Sequence, residues 1–96
     1  MAIRLTPKEI EIISEAVYGF DKNAGIILYG SRTDESKKGG DIDLLVLSDK
    51  ISYESRRKIK VELINKLGDR KIDLIVSADP YKNPFTLYAF KHGVKL

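Results

Sequence analysis

The first periodic segment of the chain is helical. Apolar side chains recur three and four residues apart between residues 10 and 20, at Ile10, Ile13, Ala16, Val17 and Phe20. This spacing is typical of a helix with one buried face. Thr6, Pro7 and Glu9 precede it and predict a capping box with proline at the first helical position. We therefore predict a helix that begins after Thr6 and runs to about Phe20.

Three shorter apolar runs predict buried strands. They span residues 25–29, 41–47 and 71–77, and each is too short for a typical helix. Residues 31–40, between the first two runs, are polar and bounded by glycines, which predicts a loop.

A second helix is predicted between the second and third strands. Ser52 suits its cap, and Gly68 suits the position just past its end. Its inner face is predicted to consist of Ile59, Leu63, Ile64 and Leu67.

A third helix is predicted from Asn83 and Pro84 to about His92, with Gly93 ending it and residues 94–96 forming a short extended tail. The predicted order is α-β-β-α-β-α. This order indicates the α/β (α+β) class, with helices flanking a small mixed β-sheet.

Composition narrows the class of protein. A chain of 96 residues with 43% hydrophobic and 32% charged residues predicts one globular domain spanning residues 1–96. It has no cysteine and a single histidine, His92, so disulfides, thiolate sites and multi-histidine zinc sites are excluded. No apolar run is long enough to span a bilayer, and the N-terminus has no signal-like segment. We therefore expect a cytoplasmic protein with no membrane contact.

Acidic residues interrupt the apolar strands in an unusual pattern. Asp41 and Asp43 are two residues apart, so they share one face of the second strand, about 7 Å apart. Two like charges at that distance repel, and a bound cation would remove the repulsion. Asp73 lies in a similar aliphatic context in the third strand, where an unpaired charge is costly.

A small turn precedes the acidic pair, and nine residues separate Ser31 from Asp41. Gly30 lets a ligand approach the backbone, and Ser31 adds a hydroxyl and an N–H group. Such turns bind phosphates, particularly where a helical turn follows. Arg32, directly after the turn, is a candidate contact to a triphosphate.

Each of these features has an ordinary structural explanation when taken alone. A single aspartate can be a strand-end residue facing solvent, and a Gly-Ser pair is a common turn. Three acids and the turn together favour a functional site instead. Oxygen-only ligands suit Mg²⁺, and two ions about 4 Å apart would activate an attacking oxygen and neutralise a leaving pyrophosphate. In this scheme Asp41 and Asp43 bridge the ions, while Asp73 binds the ion nearer the attacking group.

Two other clusters are interpreted as structural. The start of the second helix is basic, at Arg56, Arg57, Lys58 and Lys60, which predicts a solvated helix face. No aromatic residues are interleaved with these cations, so direct nucleic-acid binding is not supported. Most of an aromatic cluster near the C-terminus is predicted to pack in the core, with one ring available to stack on a base or contact a partner: Tyr81, Phe85, Tyr88 and Phe90.

The motif resembles the signature of the DNA polymerase beta-like nucleotidyltransferase superfamily. The matching residues are Gly30 and Ser31, a nine-residue spacer, the acid-apolar-acid-apolar run 41–44, and Asp73 where the third catalytic acid of that superfamily falls. The short chain is similar to the minimal nucleotidyltransferases (MNT), and the resemblance spans residues 25–96.

The resemblance implies Mg²⁺-dependent transfer of a nucleoside monophosphate, with ATP as the donor. Asp41, Asp43 and Asp73 would be catalytic metal ligands, and Gly30, Ser31 and Arg32 would bind the nucleotide. Many minimal members are antitoxins that adenylylate a HEPN ribonuclease toxin, which implies a HEPN-domain partner in a hetero-oligomer. Two alternatives stay open: a non-catalytic binding module with a relic nucleotide site, and transfer to a small molecule or RNA.

Overall fold

A computed structural model describes residues 5–30, 42–68 and 71–96. Their elements follow the order α1 (Pro7–Tyr18), β1 (Gly25–Tyr29), β2 (Ile42–Leu47), α2 (Tyr53–Leu67), β3 (Ile72–Ser77), α3 (Pro84–His92) and β4 (Val94–Lys95). The predicted mixed sheet flanked by helices is confirmed. None of the helices in the described ranges is long and apolar enough to cross a membrane.

Local sequence signals determine where the helices begin. Thr6 Oγ1 accepts a hydrogen bond from Glu9 N at 3.1 Å, and Glu9 Oε1 accepts one from Thr6 N at 2.9 Å. This is the predicted capping box. The other two helices have the predicted caps as well, because Ser52 Oγ accepts from Ser55 N and Asn83 Oδ1 accepts from Thr86 N. Helix α1 ends at Tyr18, two residues before the predicted end.

The four strands form one sheet in the order β3-β2-β1-β4. Strand β1 pairs antiparallel with β2 and with β4, while β2 and β3 are parallel. The predicted extended tail is therefore a strand at the edge of the sheet. Gly93 allows this turn, since a Cβ there would lie 2.7 Å from Ala89 O, 2.8 Å from Leu28 O, and in contact with Ile27.

Each face of the sheet has its own apolar layer. Helices α1 and α2 cover one face, where the buried layer includes Ile13, Val17, Leu28, Leu44, Ile59, Leu63 and Leu74. The opposite face carries a smaller layer of Ile27, Leu45 and Ala89, with Ile75 and Phe90 packed against it. Because Ala89 is on α3, this second face is the α3 face, and it is only partly covered.

The predicted inner face of α2 is wrong at Ile64. Ile59 and Leu63 are fully buried, but 41% of Ile64 is exposed. Consecutive helical residues are rotated by about 100° from one another, so burial of Leu63 turns Ile64 toward solvent. Leu67 is partly buried against the same core.

A buried polar pair joins two loops at the end of the sheet where β2 ends. Asp21 Oδ2 accepts a hydrogen bond from Ser48 Oγ at 2.6 Å, and Asp21 Oδ1 accepts one from Asn23 N at 3.0 Å. Ser48 Oγ in turn accepts from the backbone N–H groups of Lys50 and Ile51. Hydrogen bonds from the Ser48 hydroxyl and the Asn23 N–H lower the pKa of Asp21 by more than burial raises it, and the Lys50 charge lowers it slightly further.

Substitutions at positions 63 and 64 test the orientation of α2. We expect Leu63→Ala to lower the free energy of unfolding by about 2–5 kcal/mol, because it leaves a cavity in the core. Ile64→Ala removes a half-exposed side chain and should cost less than about 1 kcal/mol. Chemical denaturation of both variants measures the difference. Equal losses would contradict the orientation.

The Asp21–Ser48 pair predicts a specific pH dependence of stability. Because folding lowers the pKa of Asp21, its contribution is complete above the unfolded pKa of about 3.9 and is lost as the pH falls toward the folded pKa. The stability difference between wild type and Asp21→Asn should therefore be largest at neutral pH and shrink in acid. Ser48→Ala should weaken the same dependence. Denaturation from pH 7 to pH 3 tests this, and a constant difference would contradict it.

Candidate active site

Three polar side chains lie in one row across the sheet. Tyr29 is the register partner of Asp43 in the antiparallel pair, and Asp43 is the register partner of Asp73 in the parallel pair. Adjacent strands are about 4.8 Å apart, so residues directly opposite each other share a face. Leu45 and Ile75, each two residues further along its strand, pack in the layer beneath α3. Both carboxylates therefore lie on the α3 face, where β2 and β3 begin.

Gly30 allows the chain to turn beside Asp43. Its φ of +78° lies in the left-handed region that favours glycine. A Cβ at this position would also overlap the Asp43 carboxylate oxygen Oδ2 and would lie 3.2 Å from the Asp43 carboxyl carbon. The backbone of the predicted phosphate-binding turn thus closely approaches one of the predicted metal ligands.

The protonation of Tyr29 responds to both carboxylates. Burial, together with the negative charges of Asp43 and then Asp73, raises the pKa of Tyr29 to about 12. Phe85 of α3 covers the Tyr29 ring edge to face, with ring centroids 5.7 Å apart. Tyr29 is therefore a neutral phenol at physiological pH, and it forms a partly apolar wall beside the acidic pair.

An open cavity of about 380 Å³ contains the acidic pair. Its lining combines the Tyr29 and Phe85 rings, Leu74 and Ile75 of β3, both carboxylates, and two cations from α2, Arg56 and Lys60. Asp73 is on β3, which pairs only with β2 within the described sheet, and Arg56 reaches β3 through its hydrogen bond to Leu74 O. The site can therefore bind a ligand that carries both metal-binding and anionic groups.

Three predicted site residues lie outside the described residues: Ser31, Arg32 and Asp41. The predicted loop 31–40 lies outside them as well. Among the predicted residues that are described, the structure brings Gly30, Asp43 and Asp73 together. Their roles as nucleotide and metal ligands stay predictions.

Comparison with known protein families decides the class of the domain. The family described as polymerase beta nucleotidyltransferase matches residues 11–96, which is most of the chain. The chain belongs to this family. No curated protein matched it. The family model extends further toward the N-terminus than the predicted resemblance over residues 25–96, because it includes most of α1.

Members of this family transfer nucleotidyl groups. Membership therefore implies a nucleoside triphosphate as the substrate of the domain. The residue pattern of the cavity is consistent with that substrate, since a triphosphate brings both metal-binding oxygens and negative charge.

The carboxylates of this nucleotidyltransferase fit a divalent cation. Asp43 and Asp73 offer oxygen donors from adjacent strands on one face, which suits Mg²⁺ with additional water and phosphate ligands. Within residues 5–30, 42–68 and 71–96 no group of three or more potential ligands is present. Asp41, the predicted third acid, falls outside those ranges.

Two cavity residues were predicted to be part of a solvated helix face. Arg56 and Lys60 are partly buried and line the cavity, whereas Arg57 and Lys58 are exposed. Arg56 and Lys60 are four residues apart, so the helical period places them on one side. That spacing was a usable signal, but it could not show that this side faces Asp73.

The prediction for the C-terminal aromatic cluster is wrong for most of its members. Tyr81, Phe85 and Tyr88 are exposed, and only Phe90 packs against the apolar layer of the α3 face. Phe85 is 54% exposed although it also contacts Tyr29, so it lies at the rim of the cavity. Of the three exposed rings, Phe85 lines the cavity that contains the acidic pair.

The Tyr29 phenol reports on the geometry of the acidic pair. Replacing either Asp43 or Asp73 with Asn removes a negative charge, so we expect the pKa of Tyr29 to fall below about 12. It should stay above the ordinary value of about 10, because burial is the largest cause of the shift. NMR titration of the tyrosine ring carbons, assigned with Tyr29→Phe, measures the change. If the pKa of Tyr29 were unaltered in both variants, the arrangement of Tyr29, Asp43 and Asp73 in one row would be contradicted.

Proposed function

We propose that the chain is a Mg²⁺-dependent nucleotidyltransferase that transfers AMP from ATP to a hydroxyl group of a partner protein. The observation that carries this proposal is the register pairing of Asp43 with Asp73 beside the Gly30 turn. The acceptor we propose is a HEPN ribonuclease toxin, which the chain would neutralise as an antitoxin in a hetero-oligomer. This identity follows from the resemblance to minimal nucleotidyltransferases.

The proposed roles of the residues follow from their positions. Asp43, Asp73 and Asp41 would hold two Mg²⁺ ions, which supply electrostatic stabilisation for the phosphates when bound. Gly30, Ser31 and Arg32 would bind the triphosphate of the nucleotide. Asp73, on the side of the pair away from the Gly30 turn, would orient the acceptor hydroxyl and help remove its proton.

The reaction would be a single displacement. The acceptor oxygen bonds to the α-phosphorus, the bond from that phosphorus to the bridging oxygen of the pyrophosphate breaks, and pyrophosphate leaves. The acceptor proton passes toward the Asp73 carboxylate and then to solvent. No covalent intermediate with the protein is needed.

Two features of the described surface support a protein as acceptor. The cavity is open and Asp73 is part of its lining, so an approaching side chain can reach this carboxylate. Beside it, α3 exposes Phe85 and Tyr88, and the preceding loop exposes Tyr81. Exposed aromatic side chains are enriched at protein interfaces.

Substitution of the acids tests the proposed activity. With labelled ATP, Mg²⁺ and the protein encoded by the adjacent gene, wild type should label that protein. Asp43→Asn and Asp73→Asn should each lower the rate by at least about 100-fold, because each removes charge that binds the metal. Mn²⁺ binding, measured by electron paramagnetic resonance, should weaken in the same variants.

Asp49→Asn is the matched control for this experiment. Asp49 is exposed and lies beyond the end of β2 opposite to Asp43, so its removal should leave both labelling and Mn²⁺ binding unchanged. A wild type that labels nothing yet still neutralises the partner would contradict the catalytic proposal and support a binding module. Equal neutralisation by wild type and both acid variants would show that transfer is not what protects.

A further inference from the structure

The order in which the site residues follow one another across the sheet supports a further inference, which rests on the proposed function. Gly30 lies beside Asp43, Asp73 lies on the other side of Asp43, and Arg56 and Lys60 line the cavity beyond β3. In an in-line displacement the attacking and leaving oxygens are on opposite sides of the phosphorus. If the phosphates bind at the Gly30 turn, the attacking hydroxyl therefore approaches from the Asp73 side.

Arg56 is held in place at that side of the site. Its Nη1 donates a hydrogen bond to Leu74 O at 3.1 Å, and its guanidinium lies 4.8 Å from the centroid of the Tyr53 ring. These contacts fix the guanidinium against the outer edge of β3, one residue from Asp73. Because one guanidinium has five N–H donors, the contact to Leu74 leaves others for a ligand.

Lys60 and Arg56 form no ion pair with a carboxylate of the described residues. Among the residues that the structure describes, neither cation forms an ion pair with Asp73, although all three line the same cavity. Lys60 lies one turn after Arg56 on α2 and is partly buried. Two cations that face an open cavity and form no ion pair with a described residue can bind an external anion.

We propose that Arg56 and Lys60 bind a carboxylate of the partner protein next to its acceptor hydroxyl, so the preferred acceptor segment is acidic. The anion belongs to the acceptor because the cations lie on the side of Asp73 away from the Gly30 turn. The subsite would select among hydroxyl-bearing side chains by the charge of their neighbours.

A protein carboxylate fits this surface better than an RNA phosphate does. Helix α2 also presents Glu54, which would repel a phosphate backbone, and the exposed apolar side chains Val61 and Ile64. Nucleic-acid surfaces are strongly positive and include stacking aromatics. Here the nearest exposed ring on α2, Tyr53, already has the Arg56 guanidinium over it.

Peptide binding without nucleotide or metal tests the subsite directly. The probes are two synthetic peptides with one central tyrosine, flanked by glutamates in one and by glutamines in the other. Wild type should bind the glutamate peptide about tenfold more tightly at low salt, since a hydrogen-bonded charge pair is worth about 1.5 kcal/mol or more. Arg56→Gln and Lys60→Gln should each lower that preference, and the double variant should abolish it.

The neighbouring cations of the same helix provide matched controls. Arg57→Gln and Lys58→Gln remove the same net charge from exposed positions, so both should keep the preference. Arg56→Lys retains a cation near Leu74 O and should keep part of it. Thermal unfolding of every variant detects loss of folding, and Lys60→Gln tests the subsite without disturbing the Arg56 hydrogen bond.

Three results would overturn the proposal. Wild type could bind the two peptides equally, or the control variants could lower the preference as much as Arg56→Gln and Lys60→Gln do. The third is an Arg56-dependent affinity for a short RNA that exceeds the affinity for the glutamate peptide. A loss of Mg²⁺-ATP affinity in Arg56→Gln, with peptide preference retained, would assign the cations to the donor nucleotide and would also overturn it. Failure of the proposed transfer would appear separately, as unlabelled partner in the assay with Asp43 and Asp73 intact.

Discussion

The parallel pairing of β2 with β3 is the constraint on which the site depends. This register places Asp43 directly beside Asp73, and two carboxylates on adjacent strands repel each other. The sheet tolerates the repulsion because both strands also bury apolar side chains, at Ile42, Leu44, Leu45, Val46, Ile72 and Leu74. Burial of the core thus offsets the repulsion between the two carboxylates. A cation bound between them would attract both and remove this cost.

The helices and strands could be predicted because their signals are local. Thr6, Ser52 and Asn83 cap their helices through hydrogen bonds that span three residues, and such contacts are encoded within a few positions of the chain. Strand β4 was predicted only as an extended tail. Its pairing with β1 depends on a turn at Gly93 and joins residues that are 66 and 68 positions apart in the chain.

The candidate site was predictable only in part. The resemblance and the buried aspartates indicated Asp43 and Asp73 as partners, and the register is consistent with that. The cations beyond β3 were not predictable, because the side of α2 that faces the sheet edge depends on how Ile59 and Leu63 pack in the core. The same limit explains the aromatic cluster, since α3 covers too little of its face to bury Phe85 and Tyr88.

The hydrogen bond from Arg56 to Leu74 O has a second consequence, for the association of the protein with itself. Strand β3 is at one edge of the described sheet. Edge carbonyls without a partner strand are sites at which a strand of another molecule can join the sheet. The Arg56 guanidinium donates a hydrogen bond to one of these carbonyls, Leu74 O. Its positive charge also repels the same edge of a second copy, which carries its own Arg56. The opposite edge is β4, whose two residues are too few to template a long strand. A side chain at the rim of the cavity therefore also hinders the addition of a strand at this edge of the sheet.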